Sequence, residues 1–533
     1  MSQQAMSPQA AETRRYIIMG ATQLELPEEV AQALRTDGHT VTLAARTFAD
    51  GTAPHPPEPD QVRVIDAIGS NGPKLVEMPP EGELILRLNT PGIKIIPEVY
   101  YERQWERFTA DRPPAAEPIR HANTRLAARA SAVAADITTS ISIKDRTNGQ
   151  PVAGAFVVAF TDFAKREGSN ATSTARGKIN LRKIAPDRTL ERIYVYPPPG
   201  YWGHYAVNRR ASELAEIALL PIDVSDKTSL LAQFHDGIAA DAGAGVTIGI
   251  IDSGVDGSHP DLGNVVGGLN CVSMETAFDP TAFAAWRPAK IKGEHGTHVA
   301  GAAAATGKSK LRGVAPAAML RSYRVFPDTG KGASSFDILK AIDAAVRDKC
   351  DIINMSIGGG MKDELTRLSI EGALAAGVVV VVAAGNDGRK QVSYPAAFPG
   401  SMAVSAMGRI ATFPEDAIGA SEIAQPRGQP NTNDFVAAFS NIGAQIDVTG
   451  PGVEIVSTLP NGHYGTMSGT SMAAPAIAGM CAVLLASDPS IREKTGAARS
   501  RAIKDQLYAR CKPLGFGRDY EGFGLPLPLP AGV

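Results

Sequence analysis

The chain has 533 residues, more than one hydrophobic core serves, so several domains are expected. Apolar residues make up 44% and charged residues 20%, which excludes a low-complexity or fibrous chain. A formal net charge of −2, with no long Lys/Arg run, argues against nucleic acid or an anionic membrane surface as a partner.

Residues 1–13 are polar and rich in Gln and Ala, and are expected to be disordered. No basic segment followed by an apolar one marks a secretory signal there. Apolar runs such as residues 378–384 are too short to span a bilayer. The expected location is therefore cytoplasmic, or outside the cell by a leaderless route.

Residues 14–105 read as a small α+β unit. Strands are expected over 15–19, 39–43, 62–65, 75–78, 84–88 and 93–99. A helix is expected over 26–34, with Pro27 near its start, Glu28 and Glu29 in its first turn, and Gly38 beyond its end. Residues 106–136 are rich in Ala, Arg and Pro and read as a linker, helical near 124–135, where a cut would be tolerated best. Residues 137–222 carry short strand patterns at 138–144, 154–161, 177–181 and 192–196, with a turn at Asn148-Gly149, and suggest a β-sandwich.

From 223 to 533 strands and helices alternate. The runs 246–252, 319–325, 352–356 and 378–384 are apolar and β-branched, as suits strands buried on both faces. Helices are expected over 336–349 and 363–376. The pattern predicts an α/β fold, a parallel sheet with helices on both faces. The four cysteines, Cys271, Cys350, Cys481 and Cys511, lack metal-site spacing and read as buried small residues, with one disulfide left open.

Three polar residues stand at element edges in this last unit. Asp252 ends an apolar strand, where α/β sites gather. His295 opens an Ala-rich helix. Ser471 precedes the apolar helix starting Met472-Ala473-Ala474-Pro475. A hydroxyl becomes a useful nucleophile when a base takes its proton, and the base needs a third group to fix its tautomer. In that scheme Ser471 is the nucleophile, His295 the base and Asp252 its orienter. Taken alone, Ser471 could be a helix cap and Asp252 a turn residue. His298 lies near His295, but the His-Glu-x-x-His zinc pattern is absent, so His298 reads as structural and no metal ligand is assigned.

The segments Asp252-Ser253-Gly254-Val255-Asp256, His295-Gly296-Thr297-His298-Val299-Ala300-Gly301, Gly313-Val314-Ala315-Pro316, Ala383-Ala384-Gly385-Asn386, Phe439-Ser440-Asn441 and Gly469-Thr470-Ser471-Met472-Ala473 occur in this order. In them the chain resembles the subtilisin-like serine proteases, from about residue 246 to 475 and more loosely to 525. The resemblance implies a serine endopeptidase acting through an acyl-enzyme on Ser471. It implies that Asn386 donates to the oxyanion. It implies that Ser356, Ile357 and Gly358 form one wall of the substrate pocket and Ala383, Ala384 and Gly385 the other. Small, uncharged walls imply a preference for apolar residues before the cut.

Lys74-Leu75-Val76-Glu77-Met78 and Pro91-Gly92-Ile93-Lys94-Ile95-Ile96-Pro97-Glu98-Val99 resemble subtilase propeptides. They imply an autoprocessed zymogen whose own N-terminal domain is an intramolecular inhibitor, with residues near 98–104 in the substrate path. Residues 148–158 resemble carboxypeptidase-regulatory-like modules. The partner expected is otherwise a peptide or protein substrate.

The chain departs from the family at residues 306–312. Many subtilases bind calcium there through an Asn-rich loop, but here Lys308, Lys310 and Arg312 replace oxygen ligands. That site is expected to be absent and no cofactor is assigned, although other loops remain open to an ion. Extra residues at 274–290 and 410–434 are expected to form surface loops near the cleft or the N-terminal units. Two other readings stay open: a catalytically silent scaffold on the same fold, and a serine esterase or peptide ligase on the same site.

Overall fold

A computed structural model of the chain describes residues 13–21, 24–34, 40–42, 61–90, 92–103, 110, 138–277, 279–288, 293–328, 332–429 and 433–528. The expected disordered start, apart from Thr13, and the linker, apart from Ala110, lie outside the described residues.

The first unit is an antiparallel sheet of β1 (Arg14–Gly20), β2 (Thr40–Thr42), β3 (Gln61–Ala67), β4 (Lys74–Met78) and β5 (Ile93–Pro97), in the order β2-β3-β4-β1-β5. Helices α1 (Glu28–Ala33) and α2 (Pro80–Asn89) cover one face. Strand alternation sends Tyr16 and Ile18 to that face, with Leu26, Ala31 and Leu86. The segment 84–88, expected as a strand, lies in α2. Leu84, Leu86 and Leu88 alternate like a strand, yet only Leu86 is buried, while Leu84 and Leu88 are 59% and 75% exposed. Pro80 at the helix start, Glu81 and Glu83 in the first turn, and the Glu83–Arg87 pair one turn apart outweigh that alternation.

The other face of this sheet is apolar too. Ile17 and Met19, both fully buried, pack with Ile65 and Leu75 against Phe336, Leu339 and Leu365 of the last unit. Burial of a side chain of that size is worth about 1.5–3 kcal/mol. Charged contacts frame the interface: Lys340 Nζ to Asp66 Oδ2 at 2.6 Å and Lys94 Nζ to Glu364 Oε1 at 2.8 Å. A last short strand, β6 (Tyr100–Arg103), leaves the sheet altogether.

Residues 138–219 form two facing sheets. One contains β7 (Thr138–Asp145), β10 (Lys178–Arg182) and β13 (Glu216–Leu219). The other contains β8 (Phe156–Asp162), β9 (Glu167–Thr172), β11 (Thr189–Tyr196) and β12 (His204–Arg210). Ile141, Ile143, Val157, Ile179, Leu181 and Ile193 fill the space between. Ala110 is tied to this unit by two hydrogen bonds with the Asn170 side chain, at 3.0 and 2.8 Å.

In the last unit, β14 (Thr247–Asp252), β15 (Val265–Asn270), β16 (Met319–Arg324), β18 (Ile352–Met355), β20 (Val379–Ala383), β21 (Met402–Arg409) and β24 (Ile446–Pro451) make a parallel sheet. The antiparallel strands β22 (Ile423–Arg427) and β23 (Asp434–Ala437) extend it. Alternate residues face two cores: Ile250, Ile352 and Val381 one, Ile251, Ile353 and Val382 the other. Helices α3 (Glu294–Ala304) and α6 (Thr470–Ser487) lie on the first side, α4 (Ser335–Arg347) and α5 (Glu364–Ala375) on the second. Helix α6 is apolar and long enough to cross a membrane by composition, but it is buried at the centre of this unit. All four cysteines are unpaired thiols, and Cys511 alone among them is partly exposed.

The inserted loops contact the preceding units. Ala277, from the first, borders the apolar interface of the N-terminal sheet. Asp416, from the second, accepts from Arg146, lies 3.2 Å from His204 Nδ1, and its carbonyl takes the Tyr205 N–H at 2.8 Å.

Candidate active site

Strands β14 and β18 are neighbours, and the chain leaves them in opposite directions, to β15 and β16 on one side and to β20 and β21 on the other. A crevice opens at the carboxyl ends of such strands. Asp252 closes β14 there and Ser356 follows β18. Asp252 is fully buried, and its two oxygens lie 2.8 and 2.9 Å from His295 Nδ1. The Ser253 N–H also donates to Asp252 Oδ1, at 2.6 Å. The Asp252–His295 contact fixes the imidazole with its Nδ1 proton toward the carboxylate. Glycine follows His295 of necessity: a Cβ at Gly296 would come 2.4 Å from the Gly254 carbonyl oxygen and 3.2 Å from Asp252 Oδ1.

Ser471 is fully buried in the first turn of α6. Its Oγ donates to the Ser356 carbonyl at 3.1 Å, and Ser356 Oγ donates to the Ser471 carbonyl at 2.9 Å. The start of α6 supplies backbone N–H groups and the positive end of the helix dipole. Asn386 lies beside it. Its Oδ1 accepts from Thr470 N at 3.0 Å and Thr470 Oγ1 at 2.9 Å. With the carbonyl edge held, the NH₂ edge of the carboxamide is the one turned to the other side.

The loop carrying Asn386 is braced by Asn441, whose role was not read from the sequence. Asn441 Oδ1 takes the Asp387 N–H at 2.8 Å, and its Nδ2 donates to Asp387 Oδ2 at 2.9 Å. Gly385 has φ +111°, and a Cβ there would meet Asn441 Nδ2 at 2.3 Å. The motif Phe439-Ser440-Asn441 was the available signal. Ala383 and Ala384 are fully buried at the end of β20.

His298 lies apart from this chemistry. Its Nε2 is 2.8 Å from the Ile455 carbonyl, and burial pushes its pKa down to about 3. Among the described residues no group of three or more His, Cys, Asp or Glu side chains could hold a metal. At the 306–312 loop, the Asp261 carboxylate accepts the N–H groups of Ser309, Lys310 and Leu311 at 2.6, 3.0 and 2.9 Å, and the Tyr464 hydroxyl at 2.7 Å. Burial alone would raise its pKa; these donors outweigh it and hold the carboxyl below its usual range.

β19 (Ile357–Gly358) and β17 (Ala333–Ser334) flank a slot that leads to Ser471, and β6 of the first unit fills it. All pairing is antiparallel. Tyr100 and Tyr101 face Ser334 and Ala333, while Glu102 and Arg103 face Gly358 and Ile357. The edge at β17 was not read from the sequence; its two residues are too few to carry a periodic pattern. Glu98 accepts from Ser334 Oγ at 2.5 Å, and Ser335 N donates to the Val99 carbonyl at 2.7 Å, so the strand is gripped before it enters the slot. A cavity of about 100 Å³ is bounded by Glu294, by Pro198 and Tyr201 of the β-sandwich, and by Met467 and Ser468.

The parallel sheet is of α/β class; it brings Asp252 against His295 and sets Ser471, at the start of α6, against Ser356. Residues 243–514 match the model of the subtilase family, and the chain belongs to that family. It is 38% identical over 288 residues to Subtilisin NAT of Bacillus subtilis subsp. natto, covering 53% of this chain and 64% of that protein. It is 38% identical to the subtilisin of Bacillus pumilus, covering 89% of that protein. It is 32% identical over 295 residues to an intracellular serine protease of Paenibacillus polymyxa, covering 79% of it. The chain thus spans less than two thirds of Subtilisin NAT and most of the other two.

Proposed function

We propose that the protein is a serine endopeptidase made as a zymogen, with the first unit as its intramolecular inhibitor. His295 takes the Ser471 hydroxyl proton through Nε2 as Oγ bonds to the substrate carbonyl carbon. Asp252 steadies the imidazolium. The Ser471 N–H and the Asn386 amide stabilise the oxyanion. The amine leaves with the proton from His295, and water then hydrolyses the acyl-enzyme. The observation that carries this reading is β6, an extended strand of the chain itself, seated between β17 and β19. Arg103, the last described residue of β6, faces Ile357, and the carbonyl of Ser356, the residue before Ile357, takes the Ser471 hydroxyl. Gln104 lies outside the described residues; the bond proposed to be cut is the one after it. The uncharged walls formed by Ser356 to Gly358 and Ala383 to Gly385 support a preference for apolar side chains at that position, with uncharged Gln tolerated.

A fluorophosphonate probe tests the reading. Labelling of processed wild-type protein at Ser471, with peptide turnover measurable alongside turnover of a comparable ester, is expected. Absence of label would make the fold a silent scaffold. Ester turnover without peptide turnover would make it an esterase.

A further inference from the structure

Tyr101 belongs to the first unit by sequence but is fully buried in the last one. Its ring shares an apolar cluster with Ala333, Ile338 and Ile357. The ring also occupies the space over Gly360, where a Cβ would come 2.2 Å from its Cε1. At the pocket floor the Tyr101 hydroxyl donates to Asp363 Oδ2, with Thr366 Oγ1 and the Met361 carbonyl oxygen each 3.5 Å away. Asp363 is 7% exposed, and its other oxygen is held by the Thr366 N–H at 2.7 Å, capping α5. Burial beside this carboxylate raises the tyrosine pKa well above its usual value, so the phenol is the donor. No cation pairs with Asp363 among the described residues.

This floor is not what an apolar pocket needs. A desolvated carboxylate requires donors, and here they are one backbone N–H and one phenol. When β6 leaves, Asp363 Oδ2 loses the phenol. Another tyrosine in the same register restores the bond, whereas phenylalanine fills the pocket and leaves the carboxylate short of a donor. Resting on the protease reading above, we propose that this pocket selects peptides with tyrosine at the fourth residue before the cut, and that Asp363 is the residue that reads the hydroxyl. Counted back along the sequence from Gln104, Tyr101 is the fourth residue before the bond proposed to be cut.

The test uses processed full-chain enzyme and quenched-fluorescence peptides identical except for Tyr, Phe or Ala at that position. The expected kcat/KM is at least about tenfold higher for Tyr than for Phe, the scale of a hydrogen bond to a buried charge. In Asp363→Asn, which keeps an oxygen for the Thr366 N–H, the Tyr/Phe ratio should fall toward one. Equal cleavage of the Tyr and Phe peptides by wild type overturns the proposal and leaves the protease reading standing; that comparison needs no variant. If no peptide is cut and no fluorophosphonate label forms, the protease reading fails and this proposal with it.

Discussion

Asn386 has two separable jobs, and two substitutions divide them. Its Oδ1 takes the Thr470 N–H and hydroxyl at the start of α6, and its NH₂ edge is the proposed oxyanion donor. Asn386→Ala removes both. The lost cap is worth about 0.5–2 kcal/mol, a few degrees in melting temperature at most. The lost donor is worth about 10²–10³-fold in kcat, a magnitude taken from subtilisin itself. Because the oxyanion exists only in the transition state, KM should change little. Asn386→Asp keeps an acceptor for Thr470 and puts a negative charge near the helix start, so melting should stay close to wild type. It also replaces the donor by a charge that repels the oxyanion, so kcat should fall at least as far as in the alanine variant. Steady-state kinetics and thermal melts on both variants give the answer. A rise in KM at unchanged kcat in Asn386→Ala, or near-normal kcat in Asn386→Asp, refutes the oxyanion assignment.

Other outcomes follow from particular contacts. Burial pushes the Asp337 carboxyl from 3.8 up to about 7, against the Ser273 N–H and hydroxyl that bind it at 2.9 and 2.6 Å. A raised folded-state pKa contributes stability in full below about pH 4 and loses it as pH rises through about 7. On a Ser471→Ala background, Asp337→Asn should therefore gain melting temperature relative to its parent between pH 4 and pH 8; a constant gap contradicts the protonated carboxyl. Lys340→Ala strips Asp66 of its cation at the interface with the first unit, a loss of up to about 3–5 kcal/mol for a buried pair. Proteolytic activity should then appear sooner after refolding, and an unchanged lag in a time course rejects the docking role. Asp261→Ala leaves three loop N–H groups without their acceptor, which should cost about 3 kcal/mol or more. A chelator should leave the wild-type melt unmoved, and a large drop would mean that an ion holds a loop after all.

What the sequence discloses depends on how local the physics is. The strands ending at Asp252, Met355 and Ala383 are legible because burial on both faces writes a continuous apolar run. His295 and Ser471 are legible because each opens a helix beside small residues that close packing demands. The segment 84–88 misleads because three leucines at alternate positions fit a strand while Pro80, Glu83 and Arg87 set a helix. Strands β9 and β12 carry little apolar alternation: β9 reads Glu-Gly-Ser-Asn-Ala-Thr, and most of β12 is exposed. Asn441 bracing Asp387, Asp261 gathering a loop, and Asp363 under Tyr101 are contacts between residues 54, 50 and 262 apart, and no local pattern writes them. Inverting that logic, the second apolar face of the first sheet was on display in Ile17 and Met19; what covers it was not.

The most direct measurement is the N-terminal sequence and intact mass of purified wild-type protein beside its Ser471→Ala form. Wild type is expected to carry a new N-terminus at Trp105, after the bond proposed to be cut, and Ser471→Ala to stay whole with a near-native melt. Wild-type protein that remains uncut yet is fully active, or a Ser471→Ala chain cut at the same bond, contradicts it.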